Sequence, residues 1–383
     1  MKRLTALLCG ACLLLNGCTV TYHPPGQEIA ETAPKTPNSL GTTGILKPQY
    51  AQQFTVVYLE GGYAAIMFAD GQRFFLVPEG APPPENPNGY TILQQPLKNL
   101  YVAASSAVDL FDGIGALDEV KLTSTKDWTL PRVQEALDSG KLQYIGKYST
   151  PDYEKLLEAG CGLAVESTMI YHTPETKEQL ETLGIPVLVE RSSYEEHPLG
   201  RMEWIKLYGL LLGKQAEAEA FFAEKAARFD EIAAFPVNDA DRPDVAFFYI
   251  TSNGMVNVRK PGDYLSKMIE LAGGRYCLTA DDLNVEENAL STMNISMESF
   301  YALAKDADIL IYNATIDGEL QTLDQLLQKD AMLGEFKAFK EGKVWCSEQD
   351  MFQQTTGAAD MIADLHSIFY ADGAELTFLH ALR

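Results

Sequence analysis

One long amphipathic stretch constrains the fold of this chain more than any other feature. Residues 198–235 read PLGRMEWIKLYGLLLGKQAEAEAFFAEKAARFDEIAAF, with apolar side chains at helical spacing in both halves. A single helix of this length runs about 50 Å at 1.5 Å per residue, which is too long for the edge of one small domain. We therefore expect one rigid helix that joins two lobes. The alternative is a long helix packed against a single domain.

Alternating strand and helix patterns lie on both sides of this stretch. The expected strands before it are LYVAA, VKLTS, QYIGKY, GLAVES and PVLVE, and those after it are VAFFYI, VNVRK, ILIYN and KVWCS. Helical segments separate most of them, and Ser105 and Ser106 are expected to cap the first helix. The rhythm is typical of largely parallel sheets covered by helices. The chain is thus expected to be an α/β protein with two Rossmann-like lobes.

The N-terminus carries a targeting signal. Lys2 and Arg3 precede an apolar run from residue 4 to 15, which is too short to span a membrane comfortably. The run ends in Leu-Asn-Gly-Cys, which resembles a bacterial lipobox and implies that Cys18 is lipidated. An ordinary cleaved signal is the alternative. We expect a signal peptide at 1–17 and a flexible Pro-, Thr- and Gly-rich tether at 18–48.

Two lobes and a connecting helix are expected after the tether. An N-terminal lobe covers residues 49–197, the connecting helix 198–235, and a C-terminal lobe 236–383. The first lobe opens with the alternating runs FTVVYLE, YAAIMFA and RFFLVPE, separated by Gly-Gly and Asp-Gly turns. These predict an antiparallel β-meander at 50–80, to which the sequence assigns no role.

Charge and metal-binding residue types exclude several functions. A net charge of −23 argues against a nucleic-acid partner. Cys161, Cys277 and Cys346 are widely separated and are interpreted as core residues. The histidines are not paired at a metal-ligand spacing, so no protein metal site is expected. The chain also lacks the Gly-x-Ser-x-Gly, phosphate-loop and His-Glu-x-x-His motifs, and we do not expect an enzyme.

The two halves of the chain share one pattern, in which a glutamate lies in the first turn of a helix that leads to a strand. Glu154 lies in the first turn of a short helix that leads to a strand at residue 163, and Glu298 lies in the first turn of a helix that leads to a strand at 309. A negative charge at a helix N-terminus is favourable by itself, so helix capping is one explanation of both.

The segments YEEHPLGRMEWIK at 194–206, RKPGDY at 259–264 and AGG at 272–274 resemble one known family. This family comprises the substrate-binding proteins of ABC importers for iron-siderophores, haem and vitamin B12. The resemblance covers residues 95–383. It implies two α/β lobes joined by one rigid helix, with the ligand in the cleft between them. It also implies that Glu154 and Glu298 dock into the permease, one from each lobe.

The resemblance implies a specific function and location. We expect a monomeric, extracytoplasmic protein of the cell envelope, anchored to the membrane by its lipid, without a cofactor. Its partners would be an ABC permease dimer with its ATPase and a small ligand, an iron(III)-siderophore-type chelate. The alternatives are a cobamide or haem, or a surface metallochaperone or enzyme on the same lobes.

Ligand contacts are expected at the carboxyl ends of the strands, where the cleft of an open α/β sheet lies. His172 is a weaker candidate, since a locally hydrogen-bonded loop residue explains it as well, and any member of the set could be scaffold. The leading candidates are Tyr148 and Arg191. The complete expected set is Ser105, Ser106, Lys126, Trp128, Tyr148, Glu166, Ser167, Tyr171, His172, Arg191, Tyr194, Tyr249, Asn253, Arg259, Lys260, Tyr312, Gln349 and Asp350.

Overall fold

A computed structural model describes residues 40–289, 291–351, 353–371 and 375–383. The predicted signal peptide, the lipidation of Cys18 and the tether up to residue 39 lie outside the described residues. Among the helices that are described, none is both long and apolar enough to cross a membrane.

The first sheet, which we call the accessory sheet, contains five strands in the order β1-β2-β3-β4-β5. The strands β1 to β4 are antiparallel and β5 runs parallel to β4. The bounds are β1 Thr42–Leu46, β2 Phe54–Leu59, β3 Ala64–Phe68, β4 Arg73–Val77 and β5 Thr91–Gln94. The predicted meander is confirmed. The tether prediction was wrong for residues 42–46, because β1 is an exposed edge strand held mainly by backbone pairing with β2, and such a strand carries little hydrophobic pattern.

The N-terminal lobe has a second five-stranded sheet in the order β10-β9-β6-β7-β8, in which every pair of neighbours is parallel. The prediction of an α/β lobe is confirmed here. The predicted capping by Ser105 and Ser106 was wrong, because the helix already begins at Ser105 and its N-cap is Ala104. The bounds are β6 Leu100–Val102, α1 Ser105–Gly113, β7 Val120–Thr123, α2 Pro131–Asp138, β8 Gln143–Tyr144, α3 Tyr153–Ala159, β9 Ala164–Ser167, α4 Pro174–Thr182 and β10 Val187–Glu190.

The expected single helix at 198–235 is two helices, α5 Pro198–Leu212 and α6 Gln215–Ala233. The prediction of one continuous helix was wrong, because Gly213 adopts a left-handed conformation with φ of 69° and ends α5. The two helices fold back into an antiparallel hairpin. Lys206 reaches Glu219 at 3.1 Å, and the ring of His197 lies 5.6 Å from that of Phe229.

The C-terminal lobe has a seven-stranded mixed sheet in the order β14-β12-β11-β15-β16-β17, with β13 beside β11. The central pairs β11–β15 and β15–β16 are parallel, while β12, β14 and β17 are antiparallel to their neighbours. The bounds are β11 Asp244–Ile250, β12 Val256–Arg259, α7 Tyr264–Leu271, β13 Arg275–Tyr276, α8 Ala280–Leu283, β14 Thr292–Ile295, α9 Met297–Ala304, β15 Ile309–Tyr312, α10 Leu323–Lys329, α11 Lys337–Lys340, β16 Val344–Ser347, α12 Ala358–Tyr370 and β17 Leu379–Ala381.

Helix α5 lies at the junction of the two lobes. It packs against α1 of the N-terminal lobe and against α7 and α12 of the C-terminal lobe, and α6 packs on α12. Because it has neighbours all round, it is apolar on nearly every face, and Trp204 and Tyr208 are fully buried. The prediction of two lobes connected through this segment therefore holds, with α5 as a short buried connection.

Candidate functional site

A cavity of about 460 Å³ opens between the two lobes. We call it the interlobe cavity. Its first wall comes from the segments that follow β9 and β10, its second from the start of α5, and its third from β12, the start of α7 and the segment before β14. The lining residues are Thr168, Ser193, Tyr194, Glu195, Arg201, Arg259, Asp263, Tyr264 and Ser291.

Two arginines and a tyrosine form the centre of this cavity. The guanidinium carbon of Arg201 lies 4.0 Å from the ring centroid of Tyr264, and that of Arg259 lies 6.0 Å from the same centroid. Burial raises the pKa of Tyr264 although both guanidinium groups oppose the shift, so the phenol stays neutral at physiological pH. The centre is a cation–π cluster of two guanidinium groups around one aromatic ring.

Two acidic side chains of the same lining, Asp263 and Glu195, lie near these arginines and balance their charge. Asp263 lies 3.6 Å from Arg259 and caps α7 by accepting a hydrogen bond from the backbone N–H of Leu265. Burial raises the pKa of Asp263, and Arg259 acts against this rise. Within the described residues, no carboxylate oxygen lies within 4.0 Å of the Arg201 guanidinium nitrogens. Arg201 is therefore the cation that an anionic group entering the cavity can pair with.

A much smaller apolar cavity of about 20 Å³ lies beside this centre. Arg201 and Tyr264 line both cavities, so their side chains form part of the wall between them. Met268, Met351 and Phe378 line the small cavity. Apolar packing of this kind limits the side-chain conformations open to Arg201 and Tyr264.

Two of the eighteen predicted ligand contacts line the interlobe cavity, Tyr194 and Arg259. The structure places three others in the core. Tyr312 donates a hydrogen bond to Asp317, and the indole N–H of Trp128 donates to the carbonyl of Thr125. These side chains support their own loops and do not face the cavity.

Glu166 is the third of the buried predicted contacts. Its side chain is fully buried, and neither carboxylate oxygen has a hydrogen-bond partner among the described residues. Burial alone raises its pKa to about 8, so the group is mostly protonated at neutral pH. Glu166 therefore lies within the lobe as a neutral acid.

Arg191 and Tyr171 contact the accessory sheet. The Tyr171 hydroxyl donates a hydrogen bond of 2.8 Å to Asp70, and the Arg191 guanidinium lies 3.5 Å from the same carboxylate. Burial and the Asp70 carboxylate raise the pKa of Tyr171 to about 12. Arg191 also stacks on the ring of Tyr194 at 4.4 Å, so it lies behind the cavity wall.

The remaining predicted contacts lie outside the cavity wall. They were predicted from their position after a strand, but their side chains are not part of the cavity lining. Lys126, His172, Asn253 and Gln349 are exposed, while Ser105, Ser106, Tyr148, Ser167, Tyr249, Lys260 and Asp350 are partly buried.

Seven cavity residues were missed: Thr168, Ser193, Glu195, Arg201, Asp263, Tyr264 and Ser291. Arg201, Asp263 and Tyr264 lie in the segments that carry the family resemblance, at the beginnings of helices α5 and α7. A signal for them was therefore present in the sequence. These residues lie at helix starts, whereas the predicted contacts lie at strand ends.

A short segment of the C-terminal lobe reaches across to the N-terminal lobe. The Gln353 side-chain carbonyl accepts hydrogen bonds from the backbone N–H and the hydroxyl of Thr129, and the Thr355 hydroxyl donates to the carbonyl of Ser106. The Thr356 N–H donates to Asp109, and burial raises the pKa of that carboxyl to about 6. We call residues 353–356 the interlobe strap.

The two glutamates predicted to dock on a permease are both exposed. Each lies in the first turn of its helix, α3 or α9, but the side chains that cap these helices are Asp152 and Ser296. The pKa of Glu298 is lowered by a hydrogen bond from its own backbone N–H and by Ser296, so this residue is ionised at neutral pH. Neither glutamate is needed as a cap.

The three cysteines of the described chain are free thiols. Cys346 is buried, and Cys161 and Cys277 are partly buried against the hydrophobic cores. Burial raises the pKa of Cys161 to about 11 and that of Cys277 to about 12. Their interpretation as core residues is confirmed.

Similar proteins share this architecture. An uncharacterized lipoprotein of Methanocaldococcus jannaschii is 24% identical over 361 residues, which cover 86% of this chain and 83% of that protein. The catecholate-siderophore binding protein VctP of Vibrio cholerae superposes with a TM-score of 0.59 at 16% identity, covering 80% of this chain and 99% of VctP. A periplasmic heme binding protein of Pseudomonas aeruginosa superposes with a TM-score of 0.57 at 18% identity, covering 75% of this chain and 98% of that protein.

The sequence model of one family matches residues 102–349, a range that includes most of both lobes and the whole α5–α6 hairpin. The likeness to the solved structures independently shows the same fold. Because the match extends over well over half of the 383 residues, this chain belongs to the periplasmic binding protein family.

Proposed function

We propose that this protein captures an anionic iron(III)-siderophore-type chelate outside the cytoplasm and delivers it to an ABC permease. Membership of its family makes it a solute-binding protein. The observation that supports the choice of ligand is the pair of guanidinium groups around Tyr264 in the interlobe cavity. In a chain of net charge −23, two guanidinium groups that line one cavity give an anionic ligand cationic partners that the acidic surface as a whole does not.

The size and rim of the cavity fit a chelate. Its volume of about 460 Å³ lies in the range of small-molecule sites. One aromatic side chain of the lining, Tyr194, remains 41% exposed. Aromatic faces of this kind pack against planar ligand groups, while arginine pairs with their anionic oxygens.

Haem is the second candidate ligand. Its two propionates match the presence of two guanidinium groups, Arg201 and Arg259, in one cavity. A cobamide offers a single phosphodiester anion, which can pair with only one of the two guanidinium groups. A metallochaperone would need a protein metal site, and the described residues contain no group of three or more metal-ligating side chains.

The proposed location follows from the N-terminus. Cys18 is the proposed lipid attachment site, and the naming of the M. jannaschii relative as a lipoprotein supports this assignment. The protein then works as a monomer on the outer face of a membrane.

A thermal-shift panel tests the ligand. We would use a ferric tris-catecholate, a ferric trihydroxamate, haem, cyanocobalamin and bare Fe³⁺ or Zn²⁺ with the purified protein. A ligand at 100 times its Kd adds about 2.7 kcal/mol to the free energy of unfolding, so a true ligand raises the melting temperature measurably. We expect the anionic ferric chelates to do so. A shift with bare metal alone would contradict the proposal.

The Arg201→Ala variant is expected to bind the chelate about 30-fold more weakly or worse, since removing one partner of a desolvated charge pair costs roughly 2 kcal/mol or more. Arg201→Lys keeps the charge but loses the contact of the guanidinium group with the Tyr264 ring. Its Kd should lie between the Kd of the wild type and that of Arg201→Ala. Titration by fluorescence quenching measures the Kd. Arg132→Ala on the exposed face of α2 is the control for net charge. Equal Kd values for Arg201→Ala and the control would remove Arg201 from the site.

Replacing both Glu154 and Glu298 with alanine is expected to abolish uptake while leaving the ligand Kd unchanged. Both carboxylates are exposed and capping is left to other residues, so folding should not suffer. Ligand-stimulated ATP hydrolysis by the reconstituted permease measures docking. A variant with Glu158 and Glu178 replaced removes the same charge elsewhere on the N-terminal lobe. Normal stimulation by the first variant would refute the docking assignment.

A further inference from the structure

The accessory sheet is attached to the wall of the interlobe cavity by buried carboxylates. Five consecutive backbone N–H groups, from residue 49 to 53, donate hydrogen bonds to Glu203 and Glu195. Glu195 also accepts from the Trp204 indole at 2.8 Å, and the rings of Phe54 and Phe68 pack on that indole. Glu195 itself lines the cavity.

The turn between β3 and β4 forms a second attachment. The side chain of Gln72 accepts a hydrogen bond of 2.8 Å from the backbone N–H of Val189 and donates one of 3.0 Å to its carbonyl. Val189 belongs to β10, the edge strand of the N-terminal sheet. One side chain thus pairs with this edge as a neighbouring strand would.

Asp70, in the same turn, contacts two side chains of the segments that follow β9 and β10. It accepts from the Tyr171 hydroxyl and pairs with Arg191, and the side chains of Asp70 and Arg191 are each only 15% exposed. Gln53 contributes a further contact, accepting a hydrogen bond of 3.2 Å from Arg191. Because these groups are shielded from water, their interactions restrict Arg191 more than a surface ion pair would.

Arg191 passes this restriction to a residue of the cavity. Its guanidinium carbon lies 4.4 Å from the ring centroid of Tyr194, which lines the cavity and is 41% exposed. An exposed tyrosine would otherwise sample several rotamers, and holding it in one reduces the entropy lost when a ligand packs on it.

We infer that the accessory sheet is a positioning element of the ligand site, in which Asp70 acts through Arg191 to hold Tyr194 against the bound ligand. The inference rests on the proposed function, because it requires that a ligand occupies the interlobe cavity. It gives the sheet a role in affinity in addition to its contribution to folding.

The test compares Asp70→Asn with Glu60→Gln in the full chain. Both substitutions remove one negative charge from the accessory sheet, but Glu60 is exposed, at the far end of β2, and contacts Gly41 of the same sheet. Binding of a ferric tris-catecholate is measured by titration. We expect Asp70→Asn to raise the Kd about 5- to 10-fold, the usual range for coupled neighbours, and Glu60→Gln to leave it unchanged.

A double-mutant cycle separates positioning from general stability. In a Tyr194→Ala background, Asp70→Asn should change the Kd less than twofold, because the residue through which it acts is absent. An equal loss in both backgrounds, or no loss in either, overturns the inference.

Hydrogen exchange of peptides covering residues 189–195 gives a readout without ligand, so that failure of this inference differs from failure of the proposed function. Asp70→Asn should accelerate exchange there and Glu60→Gln should not. If the wild type binds none of the ligands in the panel, the proposed function fails, and unchanged exchange in Asp70→Asn then overturns the positioning role as well.

Discussion

The Glu203→Ala variant is expected to lose about 3–5 kcal/mol of its free energy of unfolding. The Glu203 side chain is fully buried and accepts hydrogen bonds from the backbone N–H groups of Gln49, Tyr50 and Ala51 at 2.7 to 3.0 Å. It also pairs with Lys206 at 3.0 Å. Alanine leaves all of these donors without their acceptor, in a region where water has little access. Urea unfolding of the full chain measures the loss.

Glu196→Ala is the matched control for this experiment. Glu196 lies in the segment just before α5 but is exposed, so its removal should change the free energy of unfolding by less than about 0.5 kcal/mol. A Glu203→Ala variant as stable as the control would show that the accessory sheet is held by its apolar contacts alone.

The Glu166→Gln variant is expected to become more stable than the wild type as the pH rises. Burial raises the pKa of Glu166 from 4.5 in the unfolded chain to about 8 in the fold, so the native state keeps its proton longer. Between these two pKa values, the free energy of unfolding of the wild type falls by about 1.4 kcal/mol per pH unit because of this group. The full loss is on the order of 4 kcal/mol by pH 8. Glutamine has no proton to lose, so the Glu166→Gln variant avoids this loss of stability.

The difference in the free energy of unfolding between Glu166→Gln and wild type, measured from pH 5 to 9, isolates this group from other carboxyls with raised pKa values. It should be small at pH 5 and grow to a few kcal/mol at pH 8. The exposed Glu178→Gln on α4 should show a flat difference. A flat profile for Glu166→Gln as well would mean that water or a cation reaches the buried carboxylate.

The α5–α6 hairpin shows why length alone misled the prediction at the junction. Both helices continue the same apolar periodicity, and a periodic pattern reports which face is buried without reporting the direction of the chain. The decisive features are local. Gly213 adopts the left-handed conformation that ends α5, and a side chain on Gly209 would come within 2.6 Å of Ala218, so two glycines permit the turn and the close approach.

The central strands of both lobes were predictable because they are buried, whereas the short strands β13, β14 and β17 of the C-terminal lobe were not predicted. The residues of the candidate site were less predictable from the sequence. Tyr194, after β10, and Arg259, at the end of β12, were predicted contacts that line the cavity, but Arg201 and Tyr264 come from the first turns of α5 and α7. Their convergence depends on how the two lobes pack, which no local pattern encodes. Arg191 and Tyr171 were diverted by Asp70, a partner more than 100 positions away along the chain.

The interlobe strap has a mechanical consequence. Two bodies joined at one point can turn about three axes, but a second point of attachment leaves rotation only about the line through both points. Helix α5 is the first attachment, and the hydrogen bonds of Gln353, Thr355 and Thr356 supply the second. Rocking of the lobes about the line from α5 to the strap would keep both attachments, whereas twisting one lobe against the other would break the hydrogen bonds of the strap.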